Sequence, residues 1–185
     1  QSINLMQKPI KLLIHGATGR MGQSLIRLAQ DHPGLTIAAA SGRADIGHMD
    51  ALPEFDIAVD FSSPEGFDAI LSLCLTRGKG LLSGSTGLSE SQFAALNDAG
   101  SKIPVLWASN FSLGVAVLNR LVSLAGDVLP GWQIDIIESH HVHKKDAPSG
   151  TALSLGQTVE AASGQRPTYH SLRCGDVVGE HSVQF

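Results

Sequence analysis

The segment richest in potential chemistry is residues 138–152, with the sequence ESHHVHKKDAPSGTA. Five cationic or potentially cationic side chains lie within six of its positions: His140, His141, His143, Lys144 and Lys145. Such side chains can bind a carboxylate and supply a proton. A helical pattern follows over residues 152–162, so Ser149, Gly150 and Thr151 would offer hydroxyl and N–H donors at a helix N-terminus. The sequence therefore predicts a site for a small dianionic substrate.

Three other interpretations of this segment stay open on the residues alone. The histidines could bind a metal ion, with Asp146 as the only nearby carboxylate to join them. The basic run could contact nucleic acid, although it is short, lacks interleaved aromatic residues and lies in an acidic chain. It could also be a solvated loop, which would leave the Pro-Ser-Gly-Thr entry to the helix unexplained.

A second chemical motif is a glycine-rich turn between an apolar run and a helical pattern. Its residues are Gly16, Ala17, Thr18, Gly19, Arg20, Met21 and Gly22. Glycines at such a turn let the backbone approach a phosphate, and the helix N-terminus adds free N–H groups and a partial positive charge. Tight strand–helix turns also use glycine for steric reasons alone. Because the strand–helix alternation continues beyond the turn, the motif favours a dinucleotide site.

The end of the second predicted strand bears on the choice of cofactor. An acidic residue there usually binds the ribose hydroxyls of NAD. This sequence instead has Ser41-Gly42-Arg43. Arg43 could face the 2′-phosphate of NADP, and the absence of a carboxylate removes a repulsion against that phosphate. Arg43 could equally be a solvated loop residue. The sequence favours good acceptance of NADPH, alongside NADH.

Two further clusters of small polar residues follow predicted strands. They are Gly84-Ser85-Thr86-Gly87 and Ala108-Ser109-Asn110-Phe111. Ligands of open α/β sheets bind at the carboxyl ends of the strands, so both clusters would lie where the nicotinamide and its ribose bind. Either cluster alone could be an ordinary turn.

The elements that must position these residues alternate along the first part of the chain. We predict strands over residues 10–15, 35–40, 57–61, 80–83 and 105–108. We predict helices over residues 20–30, from Ser63 to Gly78, and from Ser89 to Ala99. Ser63 and Ser89 have the form of N-caps, and Gly78 that of a helix terminator. This order is typical of a parallel sheet with crossover helices.

The pattern changes after Ser112. A helix is predicted over residues 114–129, with Val115, Leu118, Leu121, Val122 and Ala125 on one face. Residues 133–138 then alternate polar and apolar, as in a half-solvated strand. The sequence thus predicts an α/β fold: a Rossmann-type parallel-sheet domain over residues 1–112 and a smaller mixed α+β substrate domain over residues 113–185. A hinge is expected at residues 111–114.

The composition limits the kinds of partner. The chain has 185 residues, a formal net charge of −4 and a pI near 6.0, so it has no general attraction for nucleic acid or an anionic membrane. Its two cysteines, Cys74 and Cys174, lack the spacing of metal ligands, and Cys74 is expected in the core. We therefore expect a soluble cytoplasmic protein with no metal, nucleic-acid or membrane partner.

Residues 138–152 closely resemble the E-x-H-H-x-x-K-x-D-A-P-S-G-T-A motif of the dihydrodipicolinate reductase family. Further matches occur in the family's order at residues 16–22, 60–66, 84–87, 110–115 and 175–181. The resemblance covers nearly the whole chain. It implies a Rossmann domain and a mixed α/β substrate domain, usually in a homotetramer. It also implies reduction of 4-hydroxy-tetrahydrodipicolinate by NADPH or NADH, in lysine biosynthesis through the diaminopimelate pathway.

The resemblance also implies roles for individual residues. His140 would be the proton donor or acceptor and Lys144 the general acid, while His141, Gly150 and Thr151 would bind the substrate. The cofactor would be lined by Gly16, Ala17, Thr18, Gly19, Arg20, Met21, Gly84, Ser85, Thr86, Ala108, Ser109, Asn110 and Phe111.

The sequence departs from the family's pattern in three places. Residues 43–56 and 169–173 form shorter stretches than family members usually have, and the family continues past Phe185 with a segment that returns to the nucleotide domain. Two alternative functions remain: a non-catalytic NAD(P)-binding sensor of the same fold, and a related reductase of imine or carbonyl acids. His140 and Lys144 argue against a sensor, because a sensor needs no proton donor.

Overall fold

The computed structural model describes residues 8–185, so the first seven residues of the predicted nucleotide domain lie outside the described part. Contacts divide the chain into two units, the first ending at Ala108 and the second running from Ser109 to Phe185. The sequence places the domain boundary four residues later, after Ser112, and that boundary stays a prediction.

The first unit contains a five-stranded parallel sheet with the strand order β2-β1-β3-β4-β5. The strands are β1 (Ile10–His15), β2 (Leu35–Ser41), β3 (Ile57–Asp60), β4 (Gly80–Ser83) and β5 (Val105–Trp107). The register aligns Asp60 with His15 on one side and with Ser83 on the other. These polar residues at the strand ends therefore share one edge of the sheet.

Three helices cross between these strands: α1 (Arg20–Gln30), α2 (Pro64–Arg77) and α3 (Glu90–Ala99). Ser63 Oγ accepts a hydrogen bond from Gly66 N, and Gly78 ends α2 in the left-handed region, so the predicted cap and terminator of α2 are confirmed. A 3₁₀ segment, Arg43–Ala51, was not predicted, because so short an element carries little periodic signal.

The side chains of β1 alternate between two apolar clusters, one on each face of the sheet. Leu13 packs with the buried residues of α2 and α3, and Ile14 packs on the α1 side. Cys74 is fully buried in the first cluster, as expected. Burial raises the pKa of its thiol to about 12, so it is protonated and unreactive near neutral pH.

The second unit contains a three-stranded mixed sheet and two helices. Its elements are α4 (Leu113–Val128), β6 (Asp135–His140), α5 (Gly150–Ser163), β7 (Thr168–Arg173) and β8 (Glu180–Gln184). The sheet order is β7-β6-β8, with β6 parallel to β7 and antiparallel to β8. The predicted α/β fold class, with a second mixed part, is confirmed. Strands β7 and β8 were not predicted, because most of their side chains are polar or exposed.

The core of the second unit lies between α4, α5 and one face of β6. Burial alternates along β6, so Ile136, Glu138 and His140 point to the same side. On the predicted face of α4, Val122 is buried, whereas Leu121 is 57% exposed. Gly126 lets α4 approach α5 closely, since a Cβ there would lie 3.0 Å from the Cβ of Ala162. None of the helices within residues 8–185 is long and apolar enough to span a membrane.

Candidate active site

The glycine-rich turn leaves β1 at Gly16 and enters α1 at Arg20. Gly16 has a φ of +80°, and a Cβ at this position would lie 2.4 Å from the carbonyl oxygen of Phe61. A Cβ at Gly22 would lie 2.3 Å from the carbonyl oxygen of Gly16, so both positions require glycine. Within the described residues, the N-terminus of α1 has neither a side-chain cap nor an acidic residue in its first turn. It can therefore receive an anion.

A cleft of about 240 Å³ opens beside this turn, at the carboxyl ends of β1, β2 and β3. Its lining includes His15, Gly16, Thr18, Gly19, Gly42, Arg43 and Phe61. The exposed side chain of Arg43 thus lies in the same cleft as the predicted phosphate loop. Close backbone approach, a helix N-terminus and a guanidinium together fit the phosphates of a dinucleotide. Of the other predicted residues of this loop, Ala17 is buried, while Arg20 and Met21 are exposed.

His15 is a residue of this cleft that sequence analysis missed. Its side chain is only 1% exposed, and its Nδ1 lies 2.8 Å from Ser41 Oγ. Its Nε2 points toward the backbone of Gly66, where a Cβ would lie 2.8 Å away. Burial lowers the pKa of His15, although the charges of Asp60 and Asp45 act in the opposite direction. No sequence signal marks His15, because a single polar residue at the end of an apolar run does not change the pattern of a buried strand.

A buried polar network fixes the ends of β3 and β4. Asp60 accepts hydrogen bonds from Ser62 Oγ at 2.5 Å and from Ser83 Oγ at 2.7 Å. Ser85 Oγ accepts from Ser62 N at 3.0 Å. A Cβ at Gly84 would lie 2.2 Å from the Phe61 ring. Of the predicted cofactor residues, Gly84 thus packs against the Phe61 ring and Ser85 is hydrogen-bonded to Ser62, whereas Thr86 is exposed.

The predicted cluster at residues 108–111 is divided between the two units. Ala108 ends the first unit and donates its N–H to Ser83 O at 3.2 Å. Ser109, Asn110 and Phe111 open the second unit. Asn110 Nδ2 donates to Thr151 Oγ1 at 2.9 Å, which links this cluster to the predicted substrate-binding segment.

His140 is the last residue of β6 and is 8% exposed. Its Nδ1 forms a short hydrogen bond with Glu138 Oε2. Glu138 is fully buried and receives both terminal nitrogens of Arg173, each at 3.1 Å. Burial alone would raise the pKa of Glu138, but hydrogen bonds from Arg173, Ser171 and His140 lower it to about 2. The Nδ1 side of the His140 ring is therefore hydrogen-bonded to an ionised carboxylate.

Lys144 lies in the turn that follows β6. Its Nζ is 2.9 Å from Asp146 Oδ1, and this hydrogen bond lowers the pKa of Asp146. Arg173 reaches the same turn, donating to the carbonyl oxygens of Lys144 at 3.3 Å and Asp146 at 2.5 Å. Glu138 and Arg173 thus connect the ring of His140 with the backbone of Lys144, the two predicted proton-transfer residues.

The N-terminus of α5 carries the predicted Ser-Gly-Thr donors. Ser149 is the N-cap, since its Oγ accepts from Ala152 N at 3.2 Å, and the same Oγ lies 2.9 Å from His181 Nε2. The ring of His181 packs edge-on against His140, with centroids 5.2 Å apart. Burial lowers the pKa of His181, and positive charge at His140 acts in the same direction. Gly150 is exposed at this helix end, so its N–H can meet an anion.

The neighbouring histidines differ in their surroundings. The Nδ1 of His141 is buried and has no hydrogen-bond partner within residues 8–185. Such an atom is expected to find its partner in a ligand or a water. The ring of His143 lies 6.2 Å from that of His141. No group of three or more histidine, cysteine, aspartate or glutamate side chains in the described part of the chain could hold a metal ion.

Family comparisons match both units. The family described as "Dihydrodipicolinate reductase, N-terminus" matches residues 10–111, and "Dihydrodipicolinate reductase, C-terminus" matches residues 114–185. The chain belongs to the dihydrodipicolinate reductase family. The resemblance identified from the sequence is therefore confirmed.

Curated relatives of the reductase family agree. A 4-hydroxy-tetrahydrodipicolinate reductase of Stenotrophomonas maltophilia (strain R551-3) is 55% identical over 193 residues, covering 97% of this chain and 80% of the relative. One of Xanthomonas campestris pv. campestris (strain B100) is 54% identical over 190 residues, covering 96% and 79%. The match thus extends over nearly all of this chain.

A solved structure shows the same fold. The dipicolinate-bound dihydrodipicolinate reductase from Paenisporosarcina sp. TG-14 has a TM-score of 0.77 and 20% sequence identity, covering 96% of this chain and 83% of that chain. The similarity confirms the reductase fold of a parallel-sheet unit followed by a smaller mixed sheet.

The N-cap of α5 should make a measurable contribution to the stability of this chain. We expect Ser149→Ala to lower the free energy of unfolding by about 1–2 kcal/mol, because it removes the N-cap and the contact with His181. Urea unfolding followed by circular dichroism measures this change. Ser154→Ala, within the same helix, is the matched control, and an equal loss in both variants would contradict the assigned cap.

Glu138 should make the stability of the fold depend on pH in the acid range. Its folded pKa of about 2 lies below its usual value of 4.5, so between these pH values the unfolded chain binds more protons. The stabilisation is fully present above about pH 4.5 and is lost as the pH falls through about 2. We expect the Tm difference between wild type and Glu138→Gln to shrink over this window in calorimetry. A difference independent of pH would contradict this assignment.

Proposed function

We propose that this chain catalyses the NAD(P)H-dependent reduction of 4-hydroxy-tetrahydrodipicolinate to tetrahydrodipicolinate, with loss of water. Its relatives are named 4-hydroxy-tetrahydrodipicolinate reductases. Family membership implies that the reaction belongs to lysine biosynthesis through the diaminopimelate pathway. The observation that carries the proposal is the arrangement of residues 138–152. It combines a histidine bonded to a buried carboxylate, a lysine in the following turn and a helix N-terminus at which Gly150 is exposed.

The substrate is a cyclic dicarboxylate, and the second unit offers donors for its charge. Backbone N–H groups of Gly150 and Thr151 at the start of α5 receive one carboxylate. The buried Nδ1 of His141, which has no partner within residues 8–185, supplies a further hydrogen bond. Neutralising a carboxylate there keeps the substrate's negative charge from opposing the arrival of a hydride.

Proton transfer falls to the residues beside this anion site. When bound, the reduced nicotinamide supplies a hydride to the conjugated C=N system of the substrate. The negative charge that develops must be quenched, and Lys144 is the general acid that donates the proton. His140 donates or accepts a proton through Nε2, because Glu138 occupies its Nδ1.

The first unit holds the cofactor in this proposal. The turn from Gly16 to Met21 and the N-terminus of α1 bind the pyrophosphate, and Arg43 binds the 2′-phosphate of NADPH. Gly84, Thr86 and Ala108 line the nicotinamide end. The support is the shared cleft of Gly16, Gly19 and Arg43.

The role of Arg43 can be tested with the two cofactors. We expect Arg43→Ala to weaken NADPH binding by about 10- to 100-fold, because a charge-assisted hydrogen bond contributes about 1.5–3 kcal/mol. NADH binding should change little, since NADH lacks the 2′-phosphate. Fluorescence titration measures both Kd values, with Arg27→Ala on α1 as the control. Equal weakening of both cofactors would contradict the role.

We also propose that the enzyme acts in the cytoplasm as a homotetramer, as family membership implies. Size-exclusion chromatography with light scattering tests the assembly. A monomer would overturn that part of the proposal and leave the chemistry to be tested separately.

The activity is tested by following NADPH absorbance with enzymatically generated 4-hydroxy-tetrahydrodipicolinate. We expect substrate-dependent oxidation of NADPH. NADPH binding without oxidation would favour the non-catalytic sensor. Oxidation with another imine or carbonyl acid, but not with this substrate, would favour a related reductase.

A further inference from the structure

Glu138 is a carboxylate in an unfavourable place, on the core-facing side of β6. It is fully buried, two residues from the buried Ile136 on the same strand face. An isolated buried charge is costly, so such a group persists only when it is paired and hydrogen-bonded. The side chains bonded to Glu138 therefore indicate why it is there.

Arg173 is the main partner of this carboxylate, and its contacts extend beyond the ion pair. Its two terminal nitrogens bind the two oxygens of Glu138 in a fork, each at 3.1 Å. The remaining donors reach the carbonyl oxygens of Lys144 and Asp146. One guanidinium thus joins β7, the strand that carries His140 and the turn that carries Lys144.

The ion pair determines which nitrogen of His140 carries the proton. An ionised carboxylate is only an acceptor, so the Nδ1 facing Glu138 Oε2 must be the protonated nitrogen of the neutral ring. Nε2 is then left as the atom that can exchange a proton. It lies beside the backbone of Gly179, where a Cβ would be 3.0 Å away.

Resting on the proposed function, we propose that Glu138 and Arg173 are a positioning pair for the reaction. Glu138 fixes the tautomer of His140 with Nε2 directed to the reacting groups. Arg173 keeps Glu138 oriented toward His140 and anchors the Lys144 turn to the same carboxylate. Neither residue needs to touch the substrate, and each acts through His140 and Lys144.

Glu138→Gln tests the tautomer directly. In this variant the single amide oxygen should turn to Arg173, so the amide NH₂ faces Nδ1 and forces the proton onto Nε2. We expect nitrogen-15 NMR of the histidines, at a pH where imidazoles are neutral, to show His140 changing from the Nδ1–H to the Nε2–H form. The His140 signal is assigned by its loss in His140→Asn.

The same variant should lower kcat by about 10- to 100-fold, a part of the 10²–10⁴ that a general acid–base group contributes. KM for the substrate and Kd for NADPH should stay within about twofold, because neither carboxylate binding nor the first unit is altered. Glu160→Gln, which breaks the exposed contact with Arg166 at 3.5 Å, is the matched control and should leave all three quantities unchanged.

Arg173→Lys provides a second arm. A lysine keeps a positive charge beside Glu138, so the His140 tautomer should be kept. It lacks the donors that reach the carbonyl oxygens of Lys144 and Asp146, so the Lys144 turn loses its anchor and kcat should fall. If Glu138→Gln does not fold, Glu138→Asp replaces it. Its shorter arm can still pair with Arg173 but no longer reaches Nδ1, so a mixture of His140 tautomers and a lower kcat are expected.

A folded Glu138→Gln with an unchanged His140 tautomer and unchanged kcat would overturn the positioning role. Equal losses in kcat and NADPH binding would also overturn it, since they would indicate a merely structural pair. The NMR measurement does not depend on turnover. An inactive wild type whose His140 shows the Nδ1–H form would therefore count against the proposed function and in favour of the pair.

Discussion

Lys144→Ala should lower kcat by about 10²–10⁴-fold, the usual contribution of a positioned general acid. Lys144 lies in the turn after β6, held by Asp146 at 2.9 Å, and its side chain is 22% exposed. Alanine leaves the developing negative charge of the substrate without a proton source. The Kd for NADPH should stay within about twofold, because the proposed phosphate site of Gly16, Gly19 and Arg43 lies in the first unit.

Lys145→Ala is the matched control for this variant. Lys145 is the exposed neighbour, so a general effect of positive charge on an anionic substrate would appear in both variants. Asp146→Asn distinguishes the effect of the ion pair from that of the proton donor, since it removes the charge that pairs with Lys144 but keeps the Lys144 ammonium. The rate loss should be large only in Lys144→Ala. Parallel loss of kcat and NADPH affinity would mean that Lys144 is structural.

Gly16→Ala is expected to produce the second large effect, on both stability and cofactor binding. The residue has a φ of +80°, and its Cβ would lie 2.4 Å from the backbone oxygen of Phe61. A backbone oxygen cannot move aside as a flexible side chain can, so the turn must shift away from the end of β3. We expect a loss of about 3 kcal/mol or more in the free energy of unfolding. NADPH affinity should fall by more than about tenfold, since close phosphate approach needs this turn.

Substitutions at two other glycines distinguish the cost of the positive φ from the cost of the close contact. Gly78 has a φ of +61° with no described atom within 4 Å of its Cβ, so Gly78→Ala should show the cost of the dihedral angle alone, about 1–2 kcal/mol. A Cβ at Gly47 also meets no described atom within 4 Å, so Gly47→Ala should be nearly neutral. Urea unfolding and NADPH titration measure all three. A Gly16→Ala protein no less stable than Gly78→Ala would contradict the expected clash between the added Cβ and the backbone oxygen of Phe61.

The sequence predicts the first unit well, because the signals there are local. Apolar runs mark the five strands, and Ser63, Ser89 and Gly78 mark helix ends through contacts within a few residues. The second unit is predicted less well. Strands β7 and β8 lie at the edges of a three-stranded sheet and carry few buried side chains, so they lack the apolar run of a buried strand.

The candidate site shows the same division between local and long-range information. His140, Lys144 and Gly150 belong to one continuous motif, so the sequence alone indicates them. The partners that orient them come from distant strands, as Arg173 lies 35 residues from Glu138 and His181 lies 32 from Ser149. Alternation along β6 could have indicated that Glu138 faces inward, but no local pattern identifies its partner.

Transfer of deuterium to the product tests the central claim most directly. NADPH deuterated at the transferable position of its nicotinamide ring is incubated with this chain and enzymatically generated 4-hydroxy-tetrahydrodipicolinate. The product is then analysed by mass spectrometry. The proposed function predicts tetrahydrodipicolinate carrying deuterium from the cofactor, formed only when chain and substrate are both present. Bound NADPH that keeps its deuterium in the presence of substrate would contradict it.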